Sequence, residues 1–281
     1  MTGTATAWPE LAPLSSVLFV PANAPEKHDR AFGCGADAVI VDLEDAVAPA
    51  AKDAARAMLT ESLAVERSSS SVALVRINSP LTAQGRGDLE AVTRTQVDGV
   101  VVPKADLEAI AAAAAAGLPL VAMIETAAAV LHAAEIAAHP AVAALLLGPV
   151  DLGAELGIRD TPDGDELIAA RSQMVLAAAA AGKQGPLDGP CMTPRDERAL
   201  ELEIARARRL GFAGKTCVHP AQIAAVAHAF SPTGQELEWA RGVVDAFGDG
   251  AGRGVFLLDG EIVDEPVVRR ARRILAGESR S

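Results

Sequence analysis

The sequence has no tyrosine, and its aromatic residues are limited to two tryptophans and six phenylalanines among 281 residues. RNA-binding modules that stack bases on aromatic side chains need more of these residues, so the composition argues against such a protein. Basic residues are also few, 25 against 37 acidic ones, and the net charge of −12 disfavours binding to nucleic acid or to an anionic membrane surface. An anionic substrate would therefore be held by a few local cations or by a metal ion.

Cysteine is scarce as well. Cys34, Cys191 and Cys217 show no CxxC spacing, which argues against a disulfide scaffold and favours a reducing compartment. No apolar run reaches the roughly 18 residues that a transmembrane helix needs. The first 13 residues lack the basic start and apolar centre of a signal peptide. We therefore expect a cytoplasmic protein with neither membrane nor nucleic acid as a partner.

Half of the residues are hydrophobic, and many lie in short runs of Val, Ile and Leu separated by segments with helical spacing. Such runs are typical of parallel strands that helices cover. Eight strands are predicted, at residues 16–21, 38–45, 72–78, 99–104, 120–126, 144–152, 183–190 and 214–220. Eight strand–helix units in about 220 residues predict an α/β fold, a (β/α)8 TIM barrel. A doubly wound open sheet is the alternative, but no GxGxxG follows the first strand, which weakens its dinucleotide-binding version.

The C-terminal part of the chain contains more predicted elements than a (β/α)8 barrel requires. TGQELEWARGVVDAFG predicts a helix, RGVFLLDGEIVDEP predicts a hairpin that turns at Asp259-Gly260, and PVVRRARRIL predicts a final helix. We therefore predict a barrel over residues 1–230 and a C-terminal hairpin–helix extension over residues 231–281. The extension is expected to act as an arm or lid of the same domain.

Polar residues follow the predicted strands at their carboxyl ends, where the active sites of TIM barrels lie. In chain order they are Asp42, Glu44, Asp45, Arg76, Asn78, Lys104, Glu125, Asp151, Asp188 and His219. Carboxylates after several strands, with an arginine between them, predict a charged ring around one mouth of the barrel.

Glu125 and Asp151 are expected on neighbouring strands at the same level. Two carboxylates aimed at one point repel each other unless a proton or a cation lies between them. Because no Cys or His cluster offers soft ligands, an all-oxygen site for Mg²⁺ is the preferred interpretation. Arg76 could face that metal and form a bidentate ion pair with a carboxylate.

Several of these residues also have purely structural interpretations. Asp45 could cap the helix that follows it. Lys104 could form a salt bridge within the barrel, and His219 could make a structural hydrogen bond at a helix start. Cys217 has no evident activating base, so a place in the core is expected.

A set of motifs occurs in a fixed order: SVLFVPANAPEKHDRA, VIVDLEDAV followed by Lys52 and Arg56, VRIN, VVPKAD, IETAAAV, GPVDL, GKTCVHPAQI and GEIVDEP. Together they resemble the citrate lyase beta-subunit-like family of the HpcH/HpaI aldolase superfamily, over nearly the whole chain. The resemblance implies a (β/α)8 barrel, usually trimeric, that acts with Mg²⁺ on acyl-CoA substrates. We therefore expect a homotrimer or a dimer of trimers.

The resemblance also implies roles for residues at the predicted mouth. Glu125 and Asp151 would be the metal ligands, and Arg76 would contact the oxo-acid part of the substrate. Glu44 would hydrogen-bond to metal-bound water or support the site. The sequence departs from the family pattern at Val150, because many relatives have GxEDL where this chain has GPVDL.

Three further residues acquire roles only through the resemblance. Asp264, in the tail motif, resembles an aspartate that family members deliver from the lid of a neighbouring subunit, and it would exchange a proton with the substrate. Lys27 and Arg30 lie where the phosphates of CoA would be met.

The implied reaction is carbon–carbon cleavage of a carboxylated 3-hydroxyacyl-CoA, such as citramalyl-CoA or malyl-CoA, into acetyl-CoA and a 2-oxo acid. A CoA-independent, metal-dependent aldolase of the same superfamily is one alternative. A citrate lyase beta subunit that acts on a citryl thioester is another. A barrel without catalytic activity, serving as a scaffold or sensor, is the third.

Overall fold

A closed barrel of eight parallel strands forms the larger part of the protein. The computed structural model describes residues 14–63, 71–159, 161, 164–249, 255–258 and 260–278. The barrel strands are β1 (Ser16–Pro21), β2 (Ala38–Asp42), β3 (Val72–Arg76), β4 (Gly99–Val102), β5 (Leu120–Ile124), β6 (Val142–Leu147), β7 (Leu187–Asp188) and β8 (Gly214–Cys217). Each strand pairs with the next, and β8 pairs with β1. The predicted TIM barrel is confirmed.

Helices alternate with the strands. They are α1 (His28–Phe32), α2 (Lys52–Ser62), α3 (Ala83–Val92), α4 (Leu107–Ala114), α5 (Ala127–Leu131), α6 (Ala133–Ala138), α7 (Pro149–Leu156), α8 (Ile168–Ala180), α9 (Glu197–Leu210) and α10 (Ile223–Phe230). Local sequence explains many of the helix starts. Side chains of Thr82, Asp106, Thr126 and Asp196 accept backbone N–H groups at the first turns of α3, α4, α5 and α9. Pro149 occupies the first turn of α7, where its missing N–H costs nothing.

The barrel interior is apolar below the mouth. Side chains from alternate strand positions form this core, among them Ile40, Leu74 and Met123. Because successive side chains on a strand point to opposite faces, the next inward positions are two residues further along each strand. Those positions hold Asp42, Arg76 and Glu125, which places the charged side chains directly above the core.

The predicted strands exist, but most end earlier than predicted. The polar residues after β2, β4 and β5 belong to the loops that follow those strands. The sixth strand was predicted as residues 144–152, yet β6 ends at Leu147 and Asp151 lies in the first turn of α7. The prediction that Asp151 ends a strand is therefore wrong, because Pro149 starts a helix there. The seventh strand is reduced to Leu187–Asp188, in a segment poor in β-forming residues.

Residues 228–281 form a second compact unit. It contains α11 (Gly234–Asp249), β9 (Val255–Leu258), β10 (Glu261–Asp264) and α12 (Glu265–Glu278). The predicted hairpin is confirmed by the antiparallel pairing of β9 with β10 and by the positive φ of Gly260 at its turn. Asp259, the other predicted turn residue, lies outside the described residues. That this unit is an arm or lid of the barrel domain remains a prediction.

A small apolar core holds the second unit together. It is built from Ala240, Val243, Val263, Val268 and Ala271, which are fully or almost fully buried. The side chains come from α11, β10 and α12, so the unit has packing of its own. Among the described residues, no helix combines the length and apolar character needed to span a membrane.

Asp188 was predicted with the mouth residues, but it faces the other way. Leu187 points into the barrel core, so its neighbour Asp188 points towards the surrounding helices. Its carboxylate lies 3.2 Å from both Arg171 Nε and Lys215 Nζ, and all three side chains are buried. Burial alone would raise the pKa of Asp188, but the charges of Lys215 and Arg171 outweigh burial and hold the pKa below its ordinary value.

We predict that Asp188→Asn lowers the free energy of unfolding by about 3 kcal/mol at neutral pH, because it leaves Lys215 and Arg171 buried without their shared partner. Urea titration followed by circular dichroism measures this. The pKa of Asp188 is depressed in the folded state, so its contribution is present above the unfolded pKa and is lost as the pH falls. The difference between wild type and variant should therefore shrink below about pH 4.

The matched control is Glu201→Gln, which removes a carboxylate from an exposed ion pair with Arg198. It should change the free energy of unfolding by less than about 1 kcal/mol. Equal urea midpoints for Asp188→Asn and Glu201→Gln would show that the buried cluster does not stabilise the barrel.

Candidate metal centre and active site

Arg76 is fixed at the barrel mouth by Asp42. Its Nε donates to Asp42 Oδ1 at 2.7 Å and its Nη2 donates to Asp42 Oδ2 at 2.6 Å, so the ion pair is bidentate. The Phe19 ring lies 5.1 Å from the guanidinium carbon. Burial lowers the pKa of Arg76, but the carboxylate of Asp42 more than offsets this, and the group remains charged. The predicted bidentate arginine–carboxylate pair is confirmed.

The third guanidinium nitrogen of Arg76 faces further carboxylates. Nη1 lies 3.1 Å from Glu44 Oε2 and 3.4 Å from Asp45 Oδ2. Asp42 organises the same turn, because its carboxylate also accepts the backbone N–H groups of Glu44 and Ala46. One aspartate therefore orients both the arginine and the loop that carries Glu44.

The loop after β2 is further held from outside the mouth. Lys52 is buried, and its Nζ donates to the backbone oxygens of Leu43 at 2.7 Å and Glu44 at 2.6 Å. Asn78 Nδ2 donates to the same Leu43 oxygen at 3.0 Å. These contacts place the Glu44 side chain in the mouth without using its carboxylate. Lys52 and Asn78 therefore act as supports.

Lys104 lies at the centre of the carboxylates. Its Nζ is 3.2 Å from Glu44 Oε1, 3.2 Å from Asp151 Oδ2 and 3.8 Å from Glu125 Oε1. Three carboxylates, from the loops after β2 and β5 and from α7, thus converge on one ammonium nitrogen. Glu125 and Asp151 were predicted to lie together, and the structure places both beside the same cation.

Glu125 is almost completely buried and has a special environment. Its Oε1 accepts the backbone N–H of Lys104 at 2.7 Å. On its other side lies Gly148, where an added Cβ would fall 2.5 Å from Glu125 Cβ and 2.5 Å from Oε2. Only glycine leaves enough space for this carboxylate, and this requirement was not recognised from the sequence. A glycine at the end of a strand beside a buried acid is the signal that would have found it.

Burial raises the pKa of Glu125 to about 7, with a further contribution from the negative charge of Glu44. Burial also raises the pKa of Glu44. Glu125 therefore exchanges its proton near neutral pH when no additional cation is present. A carboxylate of this kind gains more from a nearby divalent cation than an exposed one, because the cation removes the repulsion that burial makes worse.

The donor set suits Mg²⁺. Within the described parts of the chain, no three His, Cys, Asp or Glu side chains are arranged to coordinate one ion by themselves. Mg²⁺ needs fewer protein ligands than three, since it commonly binds one or two carboxylates and completes its coordination with water and substrate oxygens. Glu125 and Asp151 meet that requirement, and Lys104 already shows that a cation fits between them.

A cavity of about 460 Å³ opens above these residues. Its lining includes five charged residues, Asp42, Asp45, Arg76, Glu125 and Asp151. It also includes apolar residues, Phe19, Met123, Pro149, Val150, Pro190, Met192 and Val218. A lining of both kinds suits an acid that also carries an uncharged part. The apolar part of the lining was not predicted, because its residues come from five separate segments.

Other predicted residues lie elsewhere. Lys27 and Arg30 are exposed on the short helical segment after β1, and among the described residues no hydrogen bond or ion pair joins them to the mouth. His219 accepts the backbone N–H of Ala221 and caps a short helix, which confirms its structural interpretation. Cys217 is buried, and burial raises its pKa to about 12, so it is an unreactive core residue.

Asp264 ends β10 in the second unit. Its Oδ1 accepts the backbone N–H of Val267 at 3.1 Å, so it caps α12. This contact orients the carboxyl group. The predicted catalytic role of Asp264 is not tested by this contact.

Residues 15–220 match the family model of HpcH/HpaI aldolase/citrate lyase. The chain belongs to this family. A (3S)-malyl-CoA thioesterase of Cereibacter sphaeroides is 41% identical over 270 residues, 94% of each chain. A citrate lyase subunit beta-like protein of Mycobacterium tuberculosis is 39% identical over 272 residues, 94% of this chain and 96% of the relative.

Solved structures agree with this membership in the HpcH/HpaI family. CitE from Mycobacterium tuberculosis, in complex with magnesium, acetoacetate and coenzyme A, has a TM-score of 0.81 and 36% identity, and the match covers 95% of this chain and 99% of that one. The citrate lyase beta subunit of the same organism, complexed with oxaloacetate and magnesium, has a TM-score of 0.71 and 36% identity, and the match covers 79% of this chain and 98% of that one.

We predict that Gly148→Ala weakens Mg²⁺ binding by about tenfold or more, because the new methyl group would displace the Glu125 carboxylate. Calorimetric titration with MgCl2 measures the affinity, and circular dichroism verifies that the barrel is intact. Gly153→Ala is the matched control, since its added Cβ would meet no heavy atom within 4 Å. Equal Mg²⁺ affinities in the two variants would contradict the assignment of Glu125 as a ligand.

Proposed function

We propose that this protein is a magnesium-dependent carbon–carbon lyase that cleaves a carboxylated 3-hydroxyacyl-CoA into acetyl-CoA and a 2-oxo acid. The observation that carries the proposal is the convergence of Glu44, Glu125 and Asp151 on a single cation position beside the fixed charge of Arg76. The magnesium, coenzyme A, acetoacetate and oxaloacetate bound to solved relatives support it.

Glu125 and Asp151 would hold Mg²⁺, and Glu44 would lie beside it and accept a hydrogen bond from bound water. A bound Mg²⁺ would supply Lewis-acid chemistry here, that is, it would offset the negative charge that develops as the carbon–carbon bond breaks. The buried position of Glu125 makes it the stronger electrostatic partner, since less water screens it.

Arg76 would bind the carboxylate of the 2-oxo acid product and of the corresponding part of the substrate. Its Nε and Nη2 are engaged by Asp42, so the guanidinium is held in place before the substrate arrives. A positive charge that needs no reorganisation stabilises a transition state better than a mobile one. The apolar part of the cavity lining would accept the uncharged part of the substrate.

In cleavage the substrate hydroxyl releases its proton as its oxygen becomes the carbonyl of the 2-oxo acid. The electrons of the broken carbon–carbon bond pass to the acetyl-CoA fragment, whose carbon must then take up a proton. We assign this proton to Asp264, delivered by the C-terminal unit of a neighbouring subunit in a homotrimer or a dimer of trimers. In the reverse direction Asp264 would remove the same proton. Lys27 and Arg30 are the residues proposed to meet the phosphates of CoA.

Hydrolysis of the thioester is a second candidate, because a relative that is 41% identical is a (3S)-malyl-CoA thioesterase. Hydrolysis of malyl-CoA releases malate and free CoA, whereas cleavage releases glyoxylate and acetyl-CoA. The two reactions therefore differ in whether a free thiol or an oxo acid appears.

The deciding assay supplies purified protein with Mg²⁺ and, separately, malyl-CoA and citramalyl-CoA. We expect glyoxylate or pyruvate in amounts equal to acetyl-CoA, no free thiol, and loss of activity on addition of EDTA. Free thiol without oxo acid would establish hydrolysis instead. If neither product forms from either thioester, the lyase proposal is wrong and the CoA-independent aldolase, the citrate lyase subunit and the non-catalytic barrel return as candidates.

We predict that Asp264→Asn lowers turnover by at least about 100-fold, because asparagine cannot donate or accept the proton. Binding of Mg²⁺ and of pyruvate should not change. The variant should also keep its stability, since asparagine caps helices as well as aspartate does.

Asp196→Asn is the matched control, because Asp196 caps α9 through the same kind of contact, from its Oδ1 to the backbone N–H of Ala199. It should retain full turnover. Unchanged turnover in Asp264→Asn would remove Asp264 from the mechanism and leave it as a helix cap.

A further inference from the structure

Lys104 has an unusual backbone conformation. Among the described residues it is the only one other than glycine with a positive φ, at 45°. The left-handed region is unfavourable for a residue with a Cβ, so neighbouring contacts must enforce it. The N–H of Ala105 donates to Met123 O at 3.1 Å, and the N–H of Lys104 donates to Glu125 Oε1 at 2.7 Å.

This conformation lets Lys104 contact Glu125 through both its backbone and its side chain. The backbone N–H holds Oε1 from one side, and the side chain turns back so that Nζ lies 3.8 Å from the same oxygen. The left-handed turn at Lys104 therefore places an ammonium group beside the carboxylates at the mouth.

Lys104 is also the main counter-charge of this cluster. In the described parts of the chain, Glu125 and Asp151 each have one basic side chain within 4.0 Å, and it is Lys104 in both cases. The Lys104 ammonium group is therefore the positive charge that offsets the repulsion between these two carboxylates.

The side chain of Lys104 is partly exposed to solvent. It is 48% exposed, whereas Glu125 is 1% exposed, so the ammonium group enters the cluster from the solvent side. Its four-carbon stem has several rotatable bonds. Rotation of the stem removes the ammonium group without disturbing the backbone N–H that orients Glu125.

We propose that the Lys104 ammonium group occupies the cation position in the metal-free protein, keeps the three carboxylates together there, and moves out when Mg²⁺ binds. Lys104 is thus a positioning residue that sets the Mg²⁺ affinity. The inference rests on the proposed function only in taking Glu125 and Asp151 as the metal ligands.

Two consequences follow from this exchange. The metal-free mouth is ordered before the ion arrives, because an internal cation already offsets the repulsion between the carboxylates. The ion must also displace that cation, so the observed affinity is lower than the carboxylates alone would give. A lysine that served only as a structural salt bridge would have the opposite effect, since its removal would separate the ligands and weaken binding.

The test is Lys104→Met, which keeps an unbranched stem and removes the charge. Calorimetric titration with MgCl2 should show binding about tenfold tighter than in wild type, because no ammonium group competes. Without metal, the melting temperature of the variant should be lower than that of wild type. With saturating Mg²⁺ the two melting temperatures should coincide.

Two variants serve as controls. Lys104→Arg keeps the positive charge and should keep an Mg²⁺ affinity close to that of wild type. Arg198→Met removes a positive charge from an exposed pair on α9 and should leave both the affinity and the melting temperature unchanged. Together they separate the effect of charge at the mouth from that of net charge.

Equal or weaker Mg²⁺ binding by Lys104→Met would overturn the inference, and absence of Mg²⁺ binding by both wild type and variant would overturn it together with the metal site. Tighter binding by the variant, combined with no cleavage of any thioester by wild type, would support the exchange and reject the lyase. The failure of one proposal is therefore distinguishable from the failure of the other.

Discussion

Repulsion between carboxylates gathered at one mouth of the barrel is the constraint on which the rest of this structure depends. Glu44, Glu125 and Asp151 come from separate elements, and barrel closure brings them to one point. Removing such groups from water makes their mutual repulsion stronger. Two cations, Arg76 and Lys104, lie among these groups and offset the repulsion, and a site with this balance is suited to receive a divalent ion.

The surrounding contacts are arranged so that the carboxylates keep their positions while the cation changes. Asp42 pairs with Arg76 and also ties down the turn that carries Glu44. Lys52 holds that turn through backbone oxygens. Gly148 leaves room for the Glu125 carboxylate. None of these contacts involves the Lys104 side chain. The residues that hold the carboxylates in place are therefore separate from the cation that lies among the carboxylates.

The barrel contains a second charged cluster with the opposite character. Asp188, Lys215 and Arg171 lie between the strands and the helices, with their side chains at most 5% exposed. Opposite charges there are paired at 3.2 Å, and none of the three residues lines the cavity at the mouth. The two clusters show that the two faces of a barrel strand have different environments. Inward-facing side chains meet at the mouth near solvent, where a cation can be exchanged. Outward-facing side chains are buried against the helices, where each charge has a fixed partner.

The sequence by itself determined the barrel, because the eight apolar runs and their order are local patterns. It also placed Glu125 and Arg76 at the mouth, since both stand at the carboxyl ends of predicted strands, which meet at one end of a barrel. Only the tertiary structure decided that Asp151 reaches the site from a helix, that Asp188 faces outward, and that Lys104 lies among the carboxylates. The physical reason is that these outcomes depend on where chain closure brings distant segments, and on a left-handed turn that no local pattern announces. The apolar runs determine where each strand lies along the chain, whereas the face that a polar side chain occupies and the partner that it meets across the mouth are set by the closed ring.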